Sequence, residues 1–395
     1  MGLSYNSPLS VTQIHLAKKI FNKEKYFTEL ESKKQILFDN IHFTVITTNS
    51  EDLAFTFFDT QNNRGVRLGA TDLLKAYHLR AINNDHKALQ IDCAQKWEEI
   101  QNSKKIFPKS SDFVAEVFEK FIWRSRSWKG QNTLDRENDD ALLESFQKPT
   151  LKTESNSIPL YANINNQLAN SLTVDENSHY RLKMNDIFLS DNSSNLPFTL
   201  RQPISKGLGF FLFTQKYASL IQKLIHDELI ASEYGIKAFR DFYKDVFQYI
   251  SIYLKELFLL CILVYYDKHG STRLLEFTLW LDYLLGAIRL EKHYIFYQAP
   301  LKFLKESPQN LLDVISTSFI PDEAIDYMKL EALKIDAYKN EKFVIGKGVQ
   351  GRYKKQLLLY FSKDISDEKS ESNALKDKKE WITSHFIEEK LKCQM

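Results

Sequence analysis

Cysteine is scarce: Cys93, Cys261 and Cys393 are scattered through 395 residues with no CxxC pair. Neither a zinc knuckle nor a disulfide framework is written in such spacing, and a reducing, cytoplasmic location is expected. Only 12 Gly and 9 Pro are present. Long stretches therefore run free of breakers, which favours helices over the many tight turns of a β-sandwich. An excess of one charge is also missing, since 53 Lys+Arg against 51 Asp+Glu leave a net charge of +2. No global field draws the chain to nucleic acid, so any such contact must come from local patches.

Membrane-length apolar runs are absent too. The strongest candidate, Leu257 to Tyr266 (LFLLCILVYY), covers about half of the roughly 20 residues a bilayer requires. The next run, LLEFTLWLDYLLGAIRL, carries Glu276 and Asp282 inside it. Both read as buried core helices, and no membrane partner is expected. The N-terminus has no apolar core of signal-peptide length, and Lys18 and Lys19 follow the apolar residues they would have to precede.

What is present is a globular composition, 43% hydrophobic and 26% charged. At roughly 150 residues per domain the length suggests two or three domains. Apolar residues from Ser10 to about Asn40 recur at three- and four-residue intervals and predict an amphipathic helix. His42 to Thr48 is short, β-branched and aromatic, and predicts a strand. A helix capped by Asn49 or Ser50 follows, then a polar loop with Asn62, Asn63 and Gly65, then a helix starting at Gly69 or Thr71 and continuing to about Ile100.

Residues 131–195 are poor in apolar side chains and predict a connection with at most short helices. From Pro197 onward, LGFFLFTQKYASLIQKLIHDEL and FRDFYKDVFQYISIYLKELFLLCILVYYDKHG predict long helices, and Asp364 to Lys379 predicts a charged, mobile tail. The expected divisions are a helix, strand, helix-loop-helix core over 1–105, which the resemblance described below makes a partial nucleotide-binding-type core, a connection over 106–195, a helical domain over 196–362 and a tail over 363–395.

The loop from Phe58 to Lys75 gathers Asp59, Asn62, Arg64 and Gly65 between two helices, with Asp72 and Lys75 just beyond. Backbone N–H groups at the start of the second helix, with Arg64 and Arg67, form a candidate phosphate site. The competing reading is a helix-loop-helix corner in which Asp59, Asn62 and Gly65 tie off backbone groups and Asp72 caps.

This segment, FFDTQNNRGVRLGATDLLKAYHLRAI, resembles the pattern Phe-Asp-x-x-Asn-x-x-Gly-x-x-Leu-x-x-x-Asp-Leu-x-Lys-Ala-Tyr of the GmrSD-type restriction endonuclease N-terminal domain family. The match covers Phe58, Asp59, Asn62, Gly65, Leu68, Asp72, Leu73, Lys75, Ala76 and Tyr77. FIWRSRSW, PFTLRQPISKGLGFF and YLKELFLLCILVYYDKHG resemble further family segments in the same order. The resemblance implies a ParB-like α/β core, a nucleotide site and a part in restricting foreign or modified DNA.

The family's nucleotide motifs, Gln-Arg-x-Tyr and Asp-Gly-Gln-Gln-Arg, do not occur here, and neither does the His-x-x-Pro signature of its HNH-type nuclease part. The expected fold is therefore mainly α with a small β remnant, a truncated ParB-like core followed by a large helical domain. The expected function is that of a defence-associated protein without autonomous nucleotide hydrolysis or DNA cleavage and with no catalytic residues of its own. Nucleoside triphosphate and Mg²⁺ would bind only with a complementing N-terminal segment, from an upstream-encoded polypeptide or a nuclease subunit. The alternatives are a non-catalytic DNA- or partner-binding module and a complete nucleotide-dependent nuclease.

Three further patterns carry readings. Trp123, Arg124, Arg126, Trp128 and Lys129 interleave aromatic and basic side chains, a combination that can touch phosphates and stack on bases. The other reading is a helix end with both tryptophans in the core. VIGKGVQGRYKK, Val344 to Lys355, has the glycine spacing of a phosphate loop, but Arg352 and Tyr353 replace its Lys and Ser/Thr, so a turn before the helix YKKQLLLYF is expected. His78, His86 and Cys93 are spaced too widely for a metal pair on a helix, His385 is expected to be a solvated helix residue, and no metal site is expected.

Overall fold

The computed structural model describes residues 68–132, 134–147, 169–174, 180–184, 196–226, 234–292, 294–336, 348–363 and 374–392, with a few isolated positions elsewhere. It is mainly α. Helices α1 (Ala70–Arg80) and α2 (Lys87–Gln101) are followed by a continuous run made of α3 (Phe113–Glu116), a π-helical stretch (Val117–Ile122) and α4 (Trp123–Ser127). The short α5 (Asp139–Gln147) precedes a hairpin of β1 (Ala169–Val174) and β2 (Tyr180–Met184), antiparallel with Leu172 opposite Leu182. Then come α6 (Leu208–Ile225), α7 (Tyr234–Asp245), α8 (Ile252–His269), α9 (Leu274–Glu291), α10 (Gln298–Glu306), α11 (Leu311–Thr317), α12 (Pro321–Leu333), α13 (Val349–Tyr360) and α14 (Ser384–Lys392).

The centre of the molecule is α8 and α9. Leu254, Leu257, Phe258, Leu260 and Tyr265 of α8, and Leu274, Phe277, Leu281 and Leu285 of α9, are buried. These helices are apolar nearly all round, as a helix enclosed by other helices must be. The two apolar runs are thus core helices, and among the described residues no helix is long and apolar enough to cross a membrane.

Where the pattern predicts one long helix from Phe239 through His269, the chain breaks at Val246–Ser251. Phe247, in a 3₁₀ turn, folds inward and stacks on Phe258 with ring centroids 3.6 Å apart. Aromatic burial outweighs helical continuity here. The connection over 131–195 is more structured than its composition suggests, since it holds the hairpin and since α5 buries Leu142 and Phe146. The expected strand over His42 to Thr48 and the helix before it lie almost entirely outside the described residues; Thr47 and Thr48 are not in a strand.

The tail expected from 363 is corrected in part. Leu375, Lys378 and Trp381 are buried, and Lys378 is fully enclosed. Its ammonium lies 2.8 Å from the Asp282 carboxylate of α9 and donates to the Tyr338 hydroxyl at 2.9 Å. Tyr353 of α13 donates to the same carboxylate at 2.5 Å, and the Tyr338 hydroxyl donates in turn to the Tyr283 carbonyl at 2.8 Å. A charge-rich segment looks solvated in sequence, yet one lysine with a buried acid waiting for it can pin the segment to the core.

Candidate functional site

Of the six phosphate-loop candidates, Asp59, Asn62, Arg64 and Gly65 lie outside the described residues. Asp72 is in the first turn of α1, where a carboxylate complements the helix N-terminus. Lys75 forms an ion pair with Glu98 of α2 at 3.3 Å. The far end of α1 is anchored by Tyr77 and His78. Tyr77 donates to the Gln147 carbonyl at 3.2 Å, and the Lys206 ammonium lies 4.1 Å from its ring centroid.

His78 is buried against the ring of Phe210, centroids 3.7 Å apart. One ring nitrogen faces the Phe146 carbonyl at 3.0 Å, and the other faces the Gly207 N–H at 3.2 Å. A carbonyl only accepts and an amide N–H only donates, so Nε2 carries the proton and the ring is neutral. Burial lowers its pKa to about 3. Gly207 sits at φ +75°, and a Cβ there would press on the Ala81 backbone at 3.3 Å. His78 thus joins α1, α5 and the start of α6, and with them the segment 196–207 that leads into α6.

That segment is tied down along its length. Arg126 donates to the carbonyls of Leu200 and Gln202, each at 2.7 Å, and Arg201 donates to the Ser125 carbonyl at 2.8 Å while pairing with Asp313 at 2.6 Å. Asp267 of α8 accepts from the Leu200 N–H at 3.2 Å and from Tyr217 at 3.1 Å, and pairs with Lys216 at 2.8 Å.

The aromatic-basic corner is accordingly a structural joint, and as an exposed DNA-contact surface it is corrected. Trp123 and Trp128 are buried and donate from Nε1 to Ser145 and to the Asp135 carbonyl. Arg124 is buried between two carboxylates, Glu137 at 2.6 Å and Glu256 at 2.8 Å, with its guanidinium 4.8 Å from the Trp128 ring centroid. Arg126 is spent on backbone carbonyls. Lys129 is exposed.

Beside this joint lies a cavity of about 260 Å³. The π-helical stretch and α4 supply Glu119, Lys120 and Arg124; the chain around them supplies Trp128, Arg136 and Glu137; α8 supplies Tyr253 and Glu256; and α10 with its cap supplies Tyr297, Pro300 and Leu301. A π turn widens the helix and re-aims its side chains, which is why such turns recur at functional sites. Lys120 and Arg124, one turn apart, both reach Glu137 at 2.6 Å. Burial alone would raise the Glu137 pKa, but the two cations outweigh it and hold the carboxyl at about 2. Burial likewise disfavours charged Arg124, and Glu256 with Glu137 overcome it. The floor is therefore a row of linked ion pairs, Lys120, Glu137, Arg124 and Glu256. At the mouth, the exposed Arg136 guanidinium lies 5.3 Å from the Tyr297 ring centroid.

The remaining sequence candidates fall elsewhere. His86 and His385 are exposed and Cys93 is buried, so the His78, His86, Cys93 stripe does not converge. Among the described residues no group of three or more His, Cys, Asp or Glu could hold a metal ion. In the phosphate-loop mimic the helix begins at Val349, earlier than expected, so Gly351 is helical and Tyr353 points into the core. Sequence reasoning missed Glu137, Glu256, Tyr253 and Tyr297. Only Glu256 carried a signal, as an acid inside an apolar helical run.

Fold and cavity together define a mainly helical body with a buried row of ion pairs along one cavity. The model of a family of unknown function (DUF7834) matches residues 89–344, and the chain belongs to that family. The matched region contains the whole cavity and the segment 196–207, and begins just after the Phe58 to Tyr77 motif. No curated protein and no solved structure matches the chain.

Proposed function

We propose that the protein is a GmrSD-like component of a defence system that restricts foreign or modified DNA, and that it performs neither nucleotide hydrolysis nor DNA cleavage by itself. The observation that carries this reading is the ten-position match from Phe58 to Tyr77. In it, Asp59 to Lys75 forms one wall of a phosphate site, and a segment carrying Gln-Arg-x-Tyr and Asp-Gly-Gln-Gln-Arg, supplied by another polypeptide, forms the other. Nucleoside triphosphate and Mg²⁺ enter only with that segment. The anchoring of α1 through Tyr77 and His78 supports a role for the helical body as the platform on which the site is assembled.

The test is phosphate release from nucleoside triphosphates by the chain alone and by the chain co-expressed with the complementing segment, sought in the reading frames upstream of its gene. No turnover alone, turnover on complementation and loss of it in Asp59→Ala are expected. Robust hydrolysis by the isolated chain would refute the reading. The alternative of DNA binding through Arg124 and Arg126 has lost its surface, because both guanidinium groups are consumed inside the fold.

A further inference from the structure

We propose that the cavity between the π-helical stretch, α8 and α10 is a binding site for a single nucleotide, a planar base carrying a phosphate. This site is separate from the Asp59 to Lys75 loop and stands or falls independently of it. The argument begins with charge. Glu137 and Glu256 are neutralised within the ionic row, and Glu119 lies 3.7 Å from Lys120. The lining as a whole sets four cations, Lys109, Lys120, Arg124 and Arg136, against the three carboxylates, an excess of one positive charge (4 − 3), and Lys109 and Arg136 are exposed at the cavity without a carboxylate partner among the described residues. A ligand that completes the balance is an anion held at the mouth.

The walls specify the rest of it. Tyr253 and Tyr297 line the space, and the Arg136 guanidinium carbon lies 5.3 Å from the Tyr297 ring centroid, so this half-exposed ring already has a cationic neighbour at the cavity. A base entering beside Tyr297 gains stacking while its phosphate meets Arg136 and Lys109. Base edges carry amino donors and carbonyl acceptors. The floor answers the donors, because the Glu256 carboxylate, which takes Arg124 on Oε2 at 2.8 Å, lines the cavity as an acceptor.

The row is already tied together by its own ion pairs before any ligand arrives, so little ordering cost falls on binding. Size sets the upper limit. About 260 Å³ lies just under the roughly 300–1,000 Å³ of drug-sized pockets, which admits one base and its sugar phosphate and no more. A divalent cation is disfavoured, since it would have to strip Arg124 and Lys120 from the carboxylates it needs.

The nucleotide can come free or as one unit of a single strand. Calorimetric titration of the full chain with mononucleotides and with a short single-stranded oligonucleotide, at fixed salt, separates the two. Comparable binding of both identifies a free-nucleotide site, and binding of the oligonucleotide alone identifies a strand-borne one. Either supports the proposal if Tyr297→Ala and Arg136→Ala each weaken it by about tenfold, the effect of losing one stacking or charge contact, while Lys355→Ala, at an exposed position of α13 away from the cavity, leaves it unchanged. Both variants alter exposed side chains, and Lys109→Ala is a third should one of them misfold. No binding of either ligand, binding indifferent to all three variants, or inorganic phosphate binding as tightly as the nucleotide would overturn it.

Discussion

His78 shows how much one side chain can hold. It contacts the Phe146 carbonyl and the Gly207 N–H, 68 and 129 residues away in the chain. His78→Leu leaves both buried groups unsatisfied and is expected to cost about 1–3 kcal/mol, read as a lower urea midpoint. The pH dependence has a definite sign. With the native pKa lowered to about 3 from an ordinary 6.5, the unfolded state binds the extra proton. Above about pH 6.5 the group is neutral in both states, and stability falls as the pH drops from there towards 3. Glu116, whose pKa burial raises to about 7, acts oppositely between its ordinary value and 7, so the His78 contribution is the difference between wild type and His78→Gln across that range. Equal pH slopes in the two proteins would contradict the buried neutral ring. Asp72, Lys75 and Tyr77 were legible as a motif. The partners of His78 were not, because no local pattern encodes contacts over such separations.

At the scale of elements, sequence periodicity located α6, α8 and α9 well, since burial of an apolar face is a local property of spacing, whereas the single helix expected from Gly69 or Thr71 to about Ile100 is two, α1 and α2, separated by a turn with a 3₁₀ segment at Asn84–His86. Periodicity failed where one long-range contact overrode the local preference. Phe247 breaks a helical run to reach Phe258, and Lys378 draws a charged segment inward to Asp282. The Lys378 pairing predicts that Lys378→Met, which strands a buried carboxylate, costs about 3–5 kcal/mol, whereas removing both charges in Lys378→Met with Asp282→Leu recovers much of it. Thermal unfolding of Lys378→Met, Asp282→Leu and the double variant measures this. Full additivity of the single effects would show that the charges do not interact.

The same reasoning decides between the two readings of the Trp123 to Lys129 segment, in favour of the helix end with both tryptophans in the core. Arg124→Ala strands Glu137 and Glu256 and is expected to cost about 3–5 kcal/mol, while Lys129→Ala, at an exposed site, stays within about 0.5 kcal/mol. Interleaved aromatic and basic residues read alike in sequence whether they face solvent or the core. The carboxylates that decide the matter are 13 and 132 residues downstream of Arg124 (137 − 124 and 256 − 124).

For the whole molecule, composition settled the mainly helical class, and buried apolar residues form one connected core from Ala70 to Trp381. That core crosses the divisions expected at 105, 195 and 362, which followed dips in hydrophobicity rather than gaps in packing. Cooperative unfolding is expected in consequence, with far-ultraviolet circular dichroism and tryptophan fluorescence tracing the same denaturant transition. Two separated transitions would show that the parts are held together more weakly than their shared core implies.

The segment 196–207 acts within this body as a tie rod. One end is bolted to the motif helix by Lys206 on Tyr77 and Gly207 on His78, and its middle is bolted by Arg126 and Arg201 to the joint that carries Arg124. Neither end can shift without loading the other. Any occupant that favours one seating of α1 must therefore change the grip on an occupant of the cavity by the same factor as the reverse, whatever the two turn out to be.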